Sequence, residues 1–199
     1  AESGYMVNKS TNASGSRILE WCEDTITKIE LTYGGTTETF NAFDQVMARI
    51  AEINNADNDY TIDVIAYQNG ITNPEIKDFP AAKSLTFVNT AQLHDIIFVR
   101  ETDGIIEYPV VFDGFYLDIS CEDRGELDTY VLSTKDFTIR NVDYFWIPCN
   151  LNCDGTLYLE GTSNPNFGGK ITVDTLKWNP GKGSGSCFLF SNEGTGGKI

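Results

Sequence analysis

The chain has 199 residues, 41% of them hydrophobic and 22% charged, with 29 acidic against 14 basic side chains and a formal net charge of -15. That length suits one continuous domain with a substantial core, and so acidic a surface repels nucleic acid and anionic lipid. No apolar run approaches the roughly 20 residues a membrane span needs, and no basic-then-apolar leader opens the chain.

Residues 1–39 read as a polar leader followed by short strands. Asn8-Lys9-Ser10 and Asn12-Ala13-Ser14 match the N-glycosylation acceptor pattern, while Ile26, Ile29, Leu31 and Tyr33 alternate as a strand that Gly34-Gly35 ends. The spacing of Phe43, Val46, Met47, Ile50 and Ile53 predicts a helix over 40–54, with Asn41 as N-cap and Asn54-Asn55 as the stop. Its other face carries Asp44, Gln45, Arg49 and Glu52, so one apolar stripe is available to cover the open end of a β core.

From Asp59 onward the chain reads as strands and turns only. An inward apolar, outward polar, inward apolar word recurs as Ile62-Asp63-Val64, Leu85-Thr86-Phe87, Leu117-Asp118-Ile119, Phe137-Thr138-Ile139, Leu157-Tyr158-Leu159 and Ile171-Thr172-Val173. Positions 117, 137 and 157 are 20 residues apart, and Asn69-Gly70, Asp103-Gly104, Asp113-Gly114 and Asp154-Gly155 punctuate the intervals as turns. A fixed period of this size predicts a solenoid over 59–192, with 193–199 as a tail. Leu117, Phe137 and Leu157 are then stacked neighbours in one sheet. The 14-residue step from Leu157 to Ile171 departs from that period and places those two strands on different faces of one coil. The last edge is left to Phe188-Leu189-Phe190 or to a partner.

Residues at equivalent positions of stacked strands lie about 4.8 Å apart, so outward residues form columns. One expected column runs Asp63, Thr86, Asp118, Thr138, Tyr158, Thr172, and its neighbour Ile65, Val88, Ser120, Arg140, Glu160, Asp174. Arg140 falls beside Glu160.

Three runs, Thr39 to Val46, Asp59 to Val64 and Phe79 to Phe87, resemble the opening of secreted right-handed parallel β-helix proteins of the pectin-lyase-like type. They are most similar to non-catalytic bacterial surface proteins of gut and rumen Firmicutes, some of them cellulosome-associated. Lys135 to Val142 and Asp154 to Gly161 resemble coils of the same kind, and the resemblance spans about 40–178. It implies an all-β fold, a right-handed parallel β-helix with one N-terminal capping helix, at the cell surface or outside the cell.

A carbohydrate site needs flat aromatic faces flanked by carboxylates, amides or arginine that bond hydroxyls. Tyr116, Asp118, Arg140, Tyr144, Trp146, Tyr158, Glu160 and Trp178 are the candidates, with Tyr144-Phe145-Trp146 partly in a loop ahead of Pro148. The expected function is therefore non-catalytic binding or adhesion to a plant cell-wall or host polysaccharide. One alternative is a glycoside hydrolase or lyase built on Asp113, Asp118, Asp136 or Glu160; another is a structural spacer or filament subunit that associates end to end or with further modules of the same polypeptide. Among Cys22, Cys121, Cys149, Cys153 and Cys187 an odd thiol must remain, Cys121 continues an inward alternation, and Cys149 with Cys153 could close a small disulfide. His94 is the sole histidine, so no zinc site is expected. Asn150-x-Asn152-x-Asp154-Gly155 imitates half of a calcium loop but has Gly161 where the bidentate glutamate belongs, leaving at most weak structural calcium.

Overall fold

The computed structural model describes residues 5–11, 17–23, 28–66, 75–91, 96–100, 104–119, 131–142, 144–162, 164–180 and 189–190. Where a polar leader was expected, β1 (Tyr5–Thr11) and β2 (Arg17–Glu23) pair antiparallel as a two-stranded sheet. β3 (Lys28–Tyr33) and β4 (Thr36–Phe40) then form a hairpin across Gly34-Gly35. The helix α1 occupies Phe43–Ile53 and is N-capped at Ala42, not Asn41, with no side-chain cap bond. It stops at Asn54, whose left-handed backbone returns its N–H to the Ile50 carbonyl at 2.9 Å. Phe43, Val46, Met47 and Ile50 are buried, and the helix lies against β3, β4 and β6 (Glu75–Lys77).

The remaining strands are β5 (Asp59–Ala66), β7 (Ser84–Val88), β8 (Ile96–Arg100), β9 (Ile105–Ile106), β10 (Val110–Asp113), β11 (Tyr116–Ile119), β12 (Val131–Thr134), β13 (Phe137–Arg140), β14 (Tyr144–Ile147), β15 (Asn150–Glu160), β16 (Asn164–Phe167), β17 (Ile171–Asn179) and β18 (Leu189–Phe190). Ten of the strands make one sheet in the order β4-β3-β5-β7-β10-β13-β15-β12-β9, with β17 also beside β15. Six make a second, parallel sheet in the order β18-β16-β14-β11-β8-β6.

These sheets correct the expected right-handed parallel β-helix. The larger sheet is mixed, because β3 runs antiparallel to both β4 and β5. The residues read as one stack are divided between sheets: Phe137 pairs with Leu157 in the larger, whereas Leu117 pairs with Ile97 and Phe145 in the smaller. The physical reason is that inner faces of both sheets carry the same apolar-polar-apolar word, so a 20-residue spacing cannot tell which sheet a strand joins. The expected columns change accordingly. Thr86 stands beside Val111, not Asp118, and Tyr158 beside Lys177, not Thr172. Ile171 pairs with Leu151 and Leu176 with Leu157, because β17 runs the length of β15 past an irregularity between Cys153 and Thr156.

Both sheets turn their inward residues to one core. Phe87 stacks on Phe112 with centroids 4.8 Å apart and 5° between planes, and Phe137 meets Phe112 edge-on at 6.1 Å. From the smaller sheet Phe145 and Phe167 pack edge-on at 5.3 Å. Each such side chain contributes roughly 1.5–3 kcal/mol through burial.

The strands of the larger sheet end in a ladder of corner residues. Asn89, Gly114, Asn141 and Gly161 each donate a backbone N–H to the carbonyl one strand on, those of Asp113, Arg140, Glu160 and Asn179, at 2.8 to 3.0 Å. Gly114, Asn141 and Gly161 take φ of 81, 55 and 64°, a conformation that glycine and asparagine adopt at least cost.

Candidate functional site

The candidate residues are distributed over two sheets. On the smaller sheet the registers of β11, β14 and β16 set Asp118 beside Trp146 and Trp146 beside Asn166. β14 is a strand where a partial loop was expected, and its Phe145 is buried while Trp146 is half-exposed. The Trp146 ring reaches along the face to Gly168, where a Cβ would lie 3.3 Å from Cη2 and 2.9 Å from the Pro148 Cα. Glycine at 168 therefore makes room first for the Pro148 backbone and then for the indole edge. Asn166 Oδ1 is buried and has no hydrogen-bond partner among the described residues. Tyr144 occupies the register position opposite Asn164, and Tyr116 is half-buried against the core edge.

On the larger sheet Arg140 and Glu160 pair across β13 and β15, with Tyr158 one pleat over beside Thr138. Arg140 Nε donates to Asp113 Oδ2 at 2.9 Å, and Asn141 Nδ2 to Asp113 Oδ1 at 2.7 Å. Lys177 Nζ stands 4.8 Å from the Tyr158 ring centroid and donates to its hydroxyl at 3.2 Å. This aromatic face is occupied by the chain's own cation. Trp178 is on the inward side: it pairs with Leu159, packs on the core and donates Nε1–H to the Thr162 carbonyl at 3.1 Å.

The carboxylates considered for hydrolysis do not converge. Asp113 is bonded to Arg140 and Asn141, Asp136 accepts the Thr156 N–H at 2.7 Å, Glu160 is exposed, and Asp118 belongs to the other sheet. The calcium-like residues Asn150, Asn152 and Asp154 lie along β15, an extended strand that spaces alternate side chains about 6.6 Å apart. Asn150 Oδ1 accepts the Lys170 N–H, and Asp154 pairs with Lys135, which holds the Asp154 carboxyl below its ordinary range. Among the described residues no group of three His, Cys, Asp or Glu could hold a metal ion, and no helix is long and apolar enough to cross a membrane.

Cys149 and Cys153 are buried and form no disulfide with each other, which corrects the expected pairing. Their thiols donate to different carbonyls, those of Ile119 and Lys135. An extended path of about 3.3 Å per residue holds the two Cα atoms beyond the ~7 Å a disulfide tolerates. Burial pushes the Cys153 thiol up from its ordinary value. Cys22 lies in β2; Cys121, Cys187 and His94 fall outside the described residues.

The structure thus joins Asp118 to Trp146 and Arg140 to Glu160, and separates Tyr158 and Trp178 from the first group. Asn166, Lys177 and Gly168 are the neighbours that sequence reasoning missed. The signal for Asn166 is the step of 20 from Trp146, obscured because Asn164-Pro165 reads as a turn. No protein-family model, no curated protein and no solved structure matches the chain.

Proposed function

We propose that this chain is a non-catalytic extracellular binding module that recognises polysaccharide through the outward face of the smaller sheet. The observation that carries the reading is the row Asp118, Trp146, Asn166: a half-exposed indole between a carboxylate and an amide. An indole offers a flat apolar surface to a sugar ring, and the Asp118 carboxylate beside it accepts hydroxyl protons. Successive strands place Asp118 and Trp146 about 4.8 Å apart, so a chain-like glycan can run across the strands and meet both. The net charge of -15 disfavours polyuronates and favours neutral glycans. Surface display, which the resemblance of the three runs implies, belongs to the same proposal.

The test is retention of the purified protein on insoluble cellulose, xylan and pectin, with the soluble fraction assayed for released sugar. Binding to a neutral polysaccharide without release supports the reading. Trp146→Ala is expected to weaken retention about tenfold or more with the fold intact, because truncated aromatic anchors cost at least about 2 kcal/mol. Tyr158→Ala leaves retention unchanged. Sugar release, or retention indifferent to Trp146→Ala, sinks it.

A further inference from the structure

A second surface, independent of the Trp146 row, lies at the end of the larger sheet. β9 pairs with β12 on one side only: Ser133 N–H donates to the Gly104 carbonyl at 2.5 Å, and Thr134 stands opposite Ile106. Alternate residues of a strand direct their N–H and C=O to opposite sides, so the backbone groups of Ile105 point away from β12, and Glu107, just past the end of β9, is the next residue in that phase. At Pro109 that side is closed, because its carbonyl accepts the Leu85 N–H at 3.1 Å. At Ile105 and Glu107 the backbone has no partner among the described residues.

The segment across the groove, residues 79–82, is not a strand. The space between is an open groove of about 580 Å³ lined by Phe79, Pro80, Ala82, Ile105, Glu107 and Tyr108. Tyr108 spans it, its hydroxyl donating to the Pro80 carbonyl at 2.5 Å. Ile105 is 61% exposed, the most exposed large apolar side chain among the described residues. An edge whose amides have no partner among the described residues, beside an open groove of mixed polar and apolar lining, is a site for strand addition. The charge of the groove selects the occupant. Glu107 is exposed and makes no ion pair among the described residues, and the nearby Lys135 is engaged by Asp154.

We infer that β9 docks an extended segment of a partner protein that carries a lysine or arginine, adding it as a strand in the groove with its basic side chain on Glu107. Main-chain bonds to Ile105 and Glu107 hold the segment, and its alternate apolar residues cover Ile105 and Phe79.

The probe is the fluorescently labelled heptapeptide Thr-Val-Thr-Lys-Thr-Val-Thr, blocked at both ends, against its counterpart with a central glutamate, read by anisotropy with the full chain. The lysine peptide is expected to bind at least about fivefold tighter than the glutamate peptide, as one exposed charge pair allows. Glu107→Lys reverses that preference. Ile105→Pro removes a free edge N–H while leaving the bonds to β12, and weakens both peptides; circular dichroism confirms that each variant is folded. Absence of saturable binding, equal binding of both peptides, or binding unaltered in the Glu107→Lys protein overturns the proposal.

Discussion

Arg140 directs its guanidinium to Asp113, one strand back in the larger sheet, although Glu160 stands opposite it one strand on. Nε to Oδ2 is 2.9 Å, and the carboxylate's other oxygen takes Asn141 Nδ2. Asp113 is the less exposed carboxylate and is fixed by two partners, so it holds the arginine in one rotamer. Asp113→Asn should cost about 0.5–1 kcal/mol, the upper range for a surface pair. Glu160→Gln should stay within about 0.5 kcal/mol of the parent. Urea unfolding followed by circular dichroism separates the two.

The helix is tied to the β3–β4 hairpin by charge. Arg49 donates Nε and Nη2 to Glu38 at 3.0 to 3.2 Å, and Tyr33 donates its hydroxyl to the same carboxylate. The Arg49 bonds, followed by that of Tyr33, lower the Glu38 carboxyl below its ordinary 4.5. A lowered folded value means the unfolded state takes up the proton first, so the contribution is complete above about 4.5 and is lost as pH falls through the depressed value. Glu38→Gln should therefore lower Tm at pH 6 to 7 and converge on the parent as the pH falls through the depressed value of Glu38. Thermal unfolding across that range is the measurement.

Gly161 combines a φ of 64° with a close neighbour: a Cβ there would lie 3.1 Å from Asn141 Oδ1. Gly161→Ala should destabilise by about 1–2 kcal/mol, the cost of a left-handed residue with a side chain. Equal stability of the variant in urea would show that the corner ladder relaxes freely.

Phe112 lies between Phe87 and Phe137 and is 1% exposed. Phe112→Ala removes the middle ring of three and should cost about 3–5 kcal/mol. Its urea midpoint should fall accordingly, with unfolding still cooperative.

The two buried thiols of the core should resist alkylation. Cys149 and Cys153 both fall in the tryptic peptide 141–170, which iodoacetamide should leave unlabelled in the native protein and label twice after unfolding in urea without reductant. Labelling that required reductant would restore the disulfide.

Local spacing made parts of the site readable. A step of 20 residues brought Arg140 beside Glu160 because β13 and β15 pair directly, Phe137 on Leu157. The same step carried Leu117 into the wrong sheet, since its partner in the smaller sheet is Phe145, 28 residues on. Trp178 was misplaced for a related reason: β17 follows β15 past an irregularity, so counting from Thr172 puts the indole on the outer face, whereas its pairing with Leu159 turns it inward.

What the sequence determined by itself was whatever depends on near neighbours: the apolar face of α1, the alternation of each strand, and the left-handed turn at Gly114. The tertiary structure alone decided which strands pair, because strand partners are chosen by contacts far apart in the chain and both inner faces bear the same apolar pattern. That choice set Trp146 between Asp118 and Asn166, laid Lys177 on Tyr158, and left the edge of β9 open beside its groove.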